Sequence, residues 1–204
     1  MTTIVKSSIS SIQMTTYAEL HLAKGAKVRV QSYALRTWSD GIEVYPETLS
    51  GKVKDDMKLM HESVGFEICE AKEDGWIQIS KERPATIIEL DSEEIYSTLT
   101  SYICSEADVI PVPFSVTDEY SRKCESGKFW EYFKNPNRQK IYLEFDGGLI
   151  EKILQPGETM NIRQGFWFAM EGGVSMKTTM AGVRVKNKSD APKKVFVKSY
   201  KERW

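Results

Sequence analysis

LQPGETMNIRQGFWFAMEGGVSMK, Leu154 to Lys177, packs a turn, an alternating run, a glycine and a second turn into two dozen residues. Its turns are Pro156-Gly157-Glu158 and Gly172-Gly173, so Gly157 and Gly173 stand sixteen residues apart, with Gly165 between them. The same spacing recurs at Gly25 and Gly41, and again at Ser92 and Asp108. Within each copy an apolar residue follows the first turn by three positions (Val28, Ile95, Met160), by ten (Leu35, Tyr102, Trp167) and by seventeen (Ile42, Val109, Val174). A recurring period of this length is the signature of tandem structural units. Short alternations such as Met160-Asn161-Ile162 predict half-buried strands with side chains of period two. Glycine serves such turns because it reaches positive φ without a Cβ clash, with Asp and Asn next best. The seven turn positions are therefore Gly25, Gly41, Ser92, Asp108, Gly157, Gly165 and Gly173.

Hairpins flank these copies. GFEICEAKEDGWIQI (Gly65 to Ile79) precedes the second and KFWEYFKNPNRQKIYL (Lys128 to Leu143) the third, whereas none precedes the first. VRVKNKSDAPKKVFVKSY, Val183 to Tyr200, supplies the absent one from the other end. The expected organisation is unit 1 over residues 1–64 with a bridging helix at 52–64, unit 2 over 65–116, unit 3 over 117–182, and a C-terminal hairpin at 183–204 that completes unit 1. The helix is read from Val53, Met57, Met60 and Val64 at helical spacing; a shorter helical turn is expected at Thr117 to Gly127. The fold class is all-β: three tandem double-stranded-β-helix or jelly-roll-like units closed around a pseudo-threefold axis.

Composition bounds the function. With 204 residues, 28 Lys+Arg against 29 Asp+Glu and 41% hydrophobic residues, the chain has apolar mass for a large core and no net field to gather nucleic acid or anionic lipid. The N-terminal twenty residues contain no continuous apolar run and no arginine, which leads to the expectation of a cytoplasmic protein. Three cysteines, Cys69, Cys104 and Cys124, show no metal-ligand spacing, and the two histidines, His21 and His61, fall in different segments. A PGE turn in a β-helix is similar to that of cupins, but their metal chemistry needs converging histidines. No nucleophile elbow or phosphate-cradling glycine loop occurs. No catalytic residue, metal or cofactor is therefore assigned.

Two surface readings remain. Phe166-Trp167-Phe168 sends Trp167 to one face of a strand and Phe166 and Phe168 to the other, and that second face is read as a subunit or partner interface. From Lys177 to Trp204 nine Lys or Arg oppose two acids, which nominates Lys186, Lys188, Lys193 and Lys194 as nucleic-acid contacts, against the alternative that they keep an edge soluble.

The turn, strand and glycine pattern of LQPGETMNIRQGFWFAMEGGVSMKT resembles that of the altered-inheritance-of-mitochondria family of tryptophan-RNA-attenuator-like (TRAP-like) β proteins. PATIIELDSEEIYSTLTSYICSEADV resembles its middle repeat. The pattern departs from the family at Lys52 to Val64, where a glycine-rich segment is usual. The resemblance implies three small β-helix-like units, assembly into a homotrimeric ring of nine units, and no catalytic residues. The functional expectation is a non-catalytic binding or scaffold protein with a protein partner. Its alternatives are a nucleic-acid-binding ring and a cupin-like enzyme.

Overall fold

In the computed structural model residues 4–12, 15–48, 55, 65–80, 85–98, 100–115 and 129–199 are described. They form nineteen strands and almost no helix. In chain order these are β1 (Ile4–Ile12), β2 (Thr15–Leu22), β3 (Lys27–Gln31), β4 (Leu35–Trp38), β5 (Ile42–Pro46), β6 (Phe66–Ala71), β7 (Gly75–Ser80), β8 (Thr86–Leu90), β9 (Glu94–Ser97) and β10 (Tyr102–Glu106). The remainder are β11 (Val112–Ser115), β12 (Phe129–Lys134), β13 (Ile141–Phe145), β14 (Leu149–Leu154), β15 (Thr159–Arg163), β16 (Trp167–Glu171), β17 (Val174–Thr179), β18 (Gly182–Asn187) and β19 (Lys193–Lys198). Apart from Asp55, the expected bridging helix lies outside the described residues, as does the segment from Val116 to Lys128.

Four antiparallel sheets result, ordered β1-β2-β7-β4, β5-β6-β3-β10-β13-β8, β11-β12-β9-β16-β19-β14 and β15-β18-β17. Three apolar clusters lie between them. One joins the first and second sheets through Leu20, Ile77, Val28 and Ile103. The next joins the second and third through Tyr102, Leu143, Phe133 and Phe168, and the last joins the third and fourth through Trp167, Val195, Ile162 and Val183. The sheets are thus stacked as four layers, and central strands of the inner two are covered on both faces. That explains why β10, β13 and β16 are buried at every position while β18 on the outermost sheet alternates.

One pairing scheme recurs. Strands β2 to β7, β8 to β13 and β14 to β19 each form six-strand groups in which the first and third strands flank the sixth, and the second and fourth flank the fifth. The third strand of each group carries the same register shift, between Leu35 and Thr37, Tyr102 and Cys104, and Trp167 and Ala169. A bulge at an equivalent place kinks each strand alike.

This phase corrects the expected placement of the hairpins. Residues 65–79 pair back onto β2 to β5, and the C-terminal hairpin, β18 and β19, pairs with β14 to β17, so it belongs with the third copy and does not complete unit 1. In the third group the return from β17 to β18 is a turn between Thr179 and Gly182, which brings the hairpin straight back onto the strands just made, whereas completing unit 1 would need a connection across all four layers.

Candidate functional site

Groups are joined by strand pairing at equivalent places. The third strand of the second group, β10, pairs with the second strand of the first, β3, as Cys104↔Val30, Ser105↔Arg29 and Glu106↔Val28. In the same manner β16 pairs with β9 as Ala169↔Ser97, Met170↔Tyr96 and Glu171↔Ile95. Extending the series would pair β4 with β15, and that pair is absent: among the described residues β4 and β15 are edges of the first and fourth sheets. The three groups are therefore not closed on themselves within one chain. The free edges are chemically competent. Ala107 N–H donates to the Lys27 carbonyl across the first junction at 3.0 Å, while Ala71 N–H donates to the Ala26 carbonyl within the group at 2.9 Å. Odd-numbered residues of β3 thus aim their backbone at the neighbouring group. At the equivalent end of β15, Asn187 N–H donates to the Glu158 carbonyl at 3.0 Å, so Glu158, Met160 and Ile162 bond inward and Thr159, Asn161 and Arg163 aim outward. Trp38, at the end of β4, is 46% exposed.

Polar interior groups are structural. Among the described residues no three His, Cys, Asp or Glu side chains gather as a metal site. Burial pushes the Cys69 thiol up to about 12 and that of Cys104 well above its ordinary value, so neither is a nucleophile. Cys124 and His61 lie outside the described residues, and His21 lies 2.9 Å from Glu19. The Glu131 carboxyl is pushed up to about 7 by burial, against the hydrogen bonds it accepts from Ser101 (2.7 Å), Ser97 (3.1 Å) and the Tyr102 N–H (3.0 Å). Those bonds fasten the β9–β10 loop, where Thr100 takes φ of 64°. A cleft of about 260 Å³ is bordered by Glu93, Glu94, Arg138 and Lys193, a charge balance that selects neither anion nor cation.

The mitochondrial biogenesis AIM24 family model matches residues 9–198. This chain belongs to the AIM24 family. Protein SPYM3_0169 from Streptococcus pyogenes, known from an X-ray crystal structure, superposes on this AIM24 chain with a TM-score of 0.66. The match covers 96% of this chain and 94% of that one at 13% identity, a likeness of fold. No curated protein matches. Among the described residues of the AIM24 chain, no helix is long and apolar enough to cross a membrane.

The nominated residues of this AIM24 chain separate. Gly25, Gly157, Gly165 and Gly173 take φ between 78° and 84°, as turn glycines should. Gly41 and Asp108 sit in turns without positive φ, and Ser92 is buried, its hydroxyl donating to the Glu171 carboxylate. Phe168 is 1% exposed, with its ring 5.5 Å from that of Phe145. This corrects the interface reading: the second face of β16 is covered by the neighbouring sheet of the same chain, and half-buried Phe166 packs against the last core. Phe168→Leu is accordingly expected to lower stability by about 1–2 kcal/mol in a denaturant titration and to leave the assembly state unchanged. The four lysines do not form one contact. Lys193 borders the cleft, Lys194 lies 3.6 Å from Glu151, and Lys186 stands on the outer face of β18 with exposed Lys188 beyond its end.

Proposed function

We propose that this AIM24 chain is a non-catalytic scaffold that assembles with copies of itself, β15 of one copy pairing with β4 of the next. The observation that carries this reading is the pairing used at both internal junctions and left unused at the two ends. By equivalence the register is Thr37↔Ile162, Trp38↔Asn161 and Ser39↔Met160. The joint adds the four strands of one first sheet to the three of a fourth sheet. Unpaired edges of this kind are templates for another chain, and a head-to-tail joint must close as a ring or run on as a filament. A ring of three copies carries nine six-strand groups. Its surfaces are where a further protein partner docks.

The test exploits the direction of the backbone. Asn161→Pro removes an N–H that aims out of the sheet and leaves the β15–β18 ladder intact. Native mass spectrometry of the unaltered protein is expected to give three times the 23.3 kDa chain, and the variant a monomer with its melting transition retained. A monomeric parent, or an Asn161→Pro variant that still assembles, overturns the reading.

A further inference from the structure

The outer face of the fourth sheet differs in charge from the second sheet. On the second sheet cations meet acids: Lys27 lies 3.3 Å from Glu70, Lys72 lies 2.9 Å from both Glu43 and Glu70, and Lys140 lies 3.1 Å from Glu89. On β15, β18 and β17 the inward positions carry Met160, Ile162, Val183, Val185, Val174 and Met176. The outward positions carry Arg163, Arg184, Lys186 and Lys177, all exposed, with no Asp or Glu between them.

The repeated pairing supplies an internal control. In the first group Lys27 stands opposite Glu70, which stands opposite Glu43. In the second group Glu94 stands opposite Lys134. At the same places in the third group Lys186 stands between Thr159 and Ser175. Against the second group the cation is kept and its acidic partner becomes Thr159; against the first, the central acid Glu70 gives way to Lys186, and Lys27 and Glu43 give way to Thr159 and Ser175. If the face served solubility alone, the balanced pairs of the other two groups would suffice.

We propose that this face binds the sugar–phosphate backbone of a nucleic acid, without sequence preference. Strand geometry spaces Arg184 and Lys186 by about 6.8 Å and sets Lys177 beside Arg184 at about 5 Å. The four cations therefore span roughly 14 Å, the length occupied by about four phosphates of one strand. Asn161 accepts a hydrogen bond from Arg184 Nε at 3.0 Å, which holds the guanidinium in place with donors to spare. Thr159 adds a hydroxyl donor of the kind that contacts phosphate and sugar, while the Ser175 hydroxyl donates to the Lys186 carbonyl at 3.3 Å. No aromatic side chain points from the face, so bases have no platform on which to stack. Met180, 96% exposed at the β17–β18 turn, is the apolar group beside it; a bilayer would use that residue, a phosphate backbone would not. The inference concerns an outermost layer of one chain and stands whether or not copies join.

Fluorescence anisotropy with a mixed-sequence duplex of twenty base pairs tests it on the full chain. The expected Kd is about 10⁻⁶ M at 50 mM salt, weakening about 50-fold at 150 mM if all four cations contact phosphate. R184E/K186E and, separately, Lys177→Glu should each weaken binding at least tenfold while the melting transition stays in place. Lys152→Glu, exposed on β14 in another sheet, should change nothing. Absence of binding at 50 mM salt overturns the proposal, as does an R184E/K186E variant that binds like the parent. Vesicles containing phosphatidylserine that bind as tightly as the duplex, with loss of that binding in Met180→Ser, would make the face a membrane-docking surface instead and overturn it too.

Discussion

Arg29→Ala is expected to destabilise the protein by about 3–5 kcal/mol, the largest loss from any single charge here, read as a fall of roughly 6–20 °C in the melting transition. The Arg29 side chain is 4% exposed and Glu47 11%. Their pairing is bidentate, with Nε donating to Glu47 Oε2 at 2.6 Å and Nη2 to Oε1 at 2.7 Å, and Nη1 donates to the Val109 carbonyl at 2.7 Å. Three pieces of chain meet on one guanidinium: β3, the residue following β5, and the loop after β10. Removing it strands the Glu47 carboxylate in a place that water reaches poorly and leaves the Val109 carbonyl with only the Ser105 hydroxyl at 2.9 Å, and the desolvated carboxylate is the source of the loss. The pair itself adds little net stability, because both ions were dehydrated to make it. R29M/E47L should therefore recover most of what Arg29→Ala loses. If the double variant proves as unstable as the single one, the ion pair is a net contributor and this account of the site is wrong.

Arg29 also marks where sequence reading ends. The alternation Val28-Arg29-Val30 places strand β3 and its direction, and it predicts one dry and one wet face. Val28 and Val30 do face the first core. Arg29 nevertheless ends 3% exposed, because the next group covers the other face. The same misjudgement governs Phe168: the alternation separates it from Trp167, and both faces then prove to be core. Local periodicity reports which residues share a face; what covers that face depends on layers that meet only after folding. The repeat itself was legible from turn spacing, since a left-handed glycine is demanded locally at Gly25 and Gly157. Its phase was not, because a hairpin read in isolation carries no sign of which neighbour it joins. The edges at β4 and β15 became visible only once two junctions could be compared with a missing third. The basic character of the C-terminal stretch was legible, but Lys193 and Lys186 lie on different sheets, and Arg163 comes to Lys186's face from a strand some twenty residues earlier.

Gly182 was not nominated from the sequence at all, yet Gly182→Ala is expected to cost about 3–5 kcal/mol and to abolish assembly with it. Its φ of 151° is costly for a residue with a side chain, but the larger problem is space. A Cβ at this position would lie 2.1 Å from the Ile162 carbonyl oxygen and 2.6 Å from the Gln164 nitrogen. These are backbone atoms of β15 and the turn after it, so no side chain can rotate away, and the β15–β18 register at Arg163↔Gly182 has to open. Gly25→Ala separates the two effects. Gly25 has φ of 84° with nothing within 4 Å of an added Cβ, so its substitution carries the conformational cost alone, about 1 kcal/mol. Calorimetry of both variants, with native mass spectrometry below the transition, should show Gly25→Ala slightly destabilised and still assembled. Gly182→Ala should be severely destabilised and monomeric, because the strand displaced by its methyl group is the one proposed to receive the next copy. Equal losses in the two variants would mean that β15 yields to the intruding methyl at little cost. It would then be too loosely held to template a neighbour, and the edge-pairing model would fail with it.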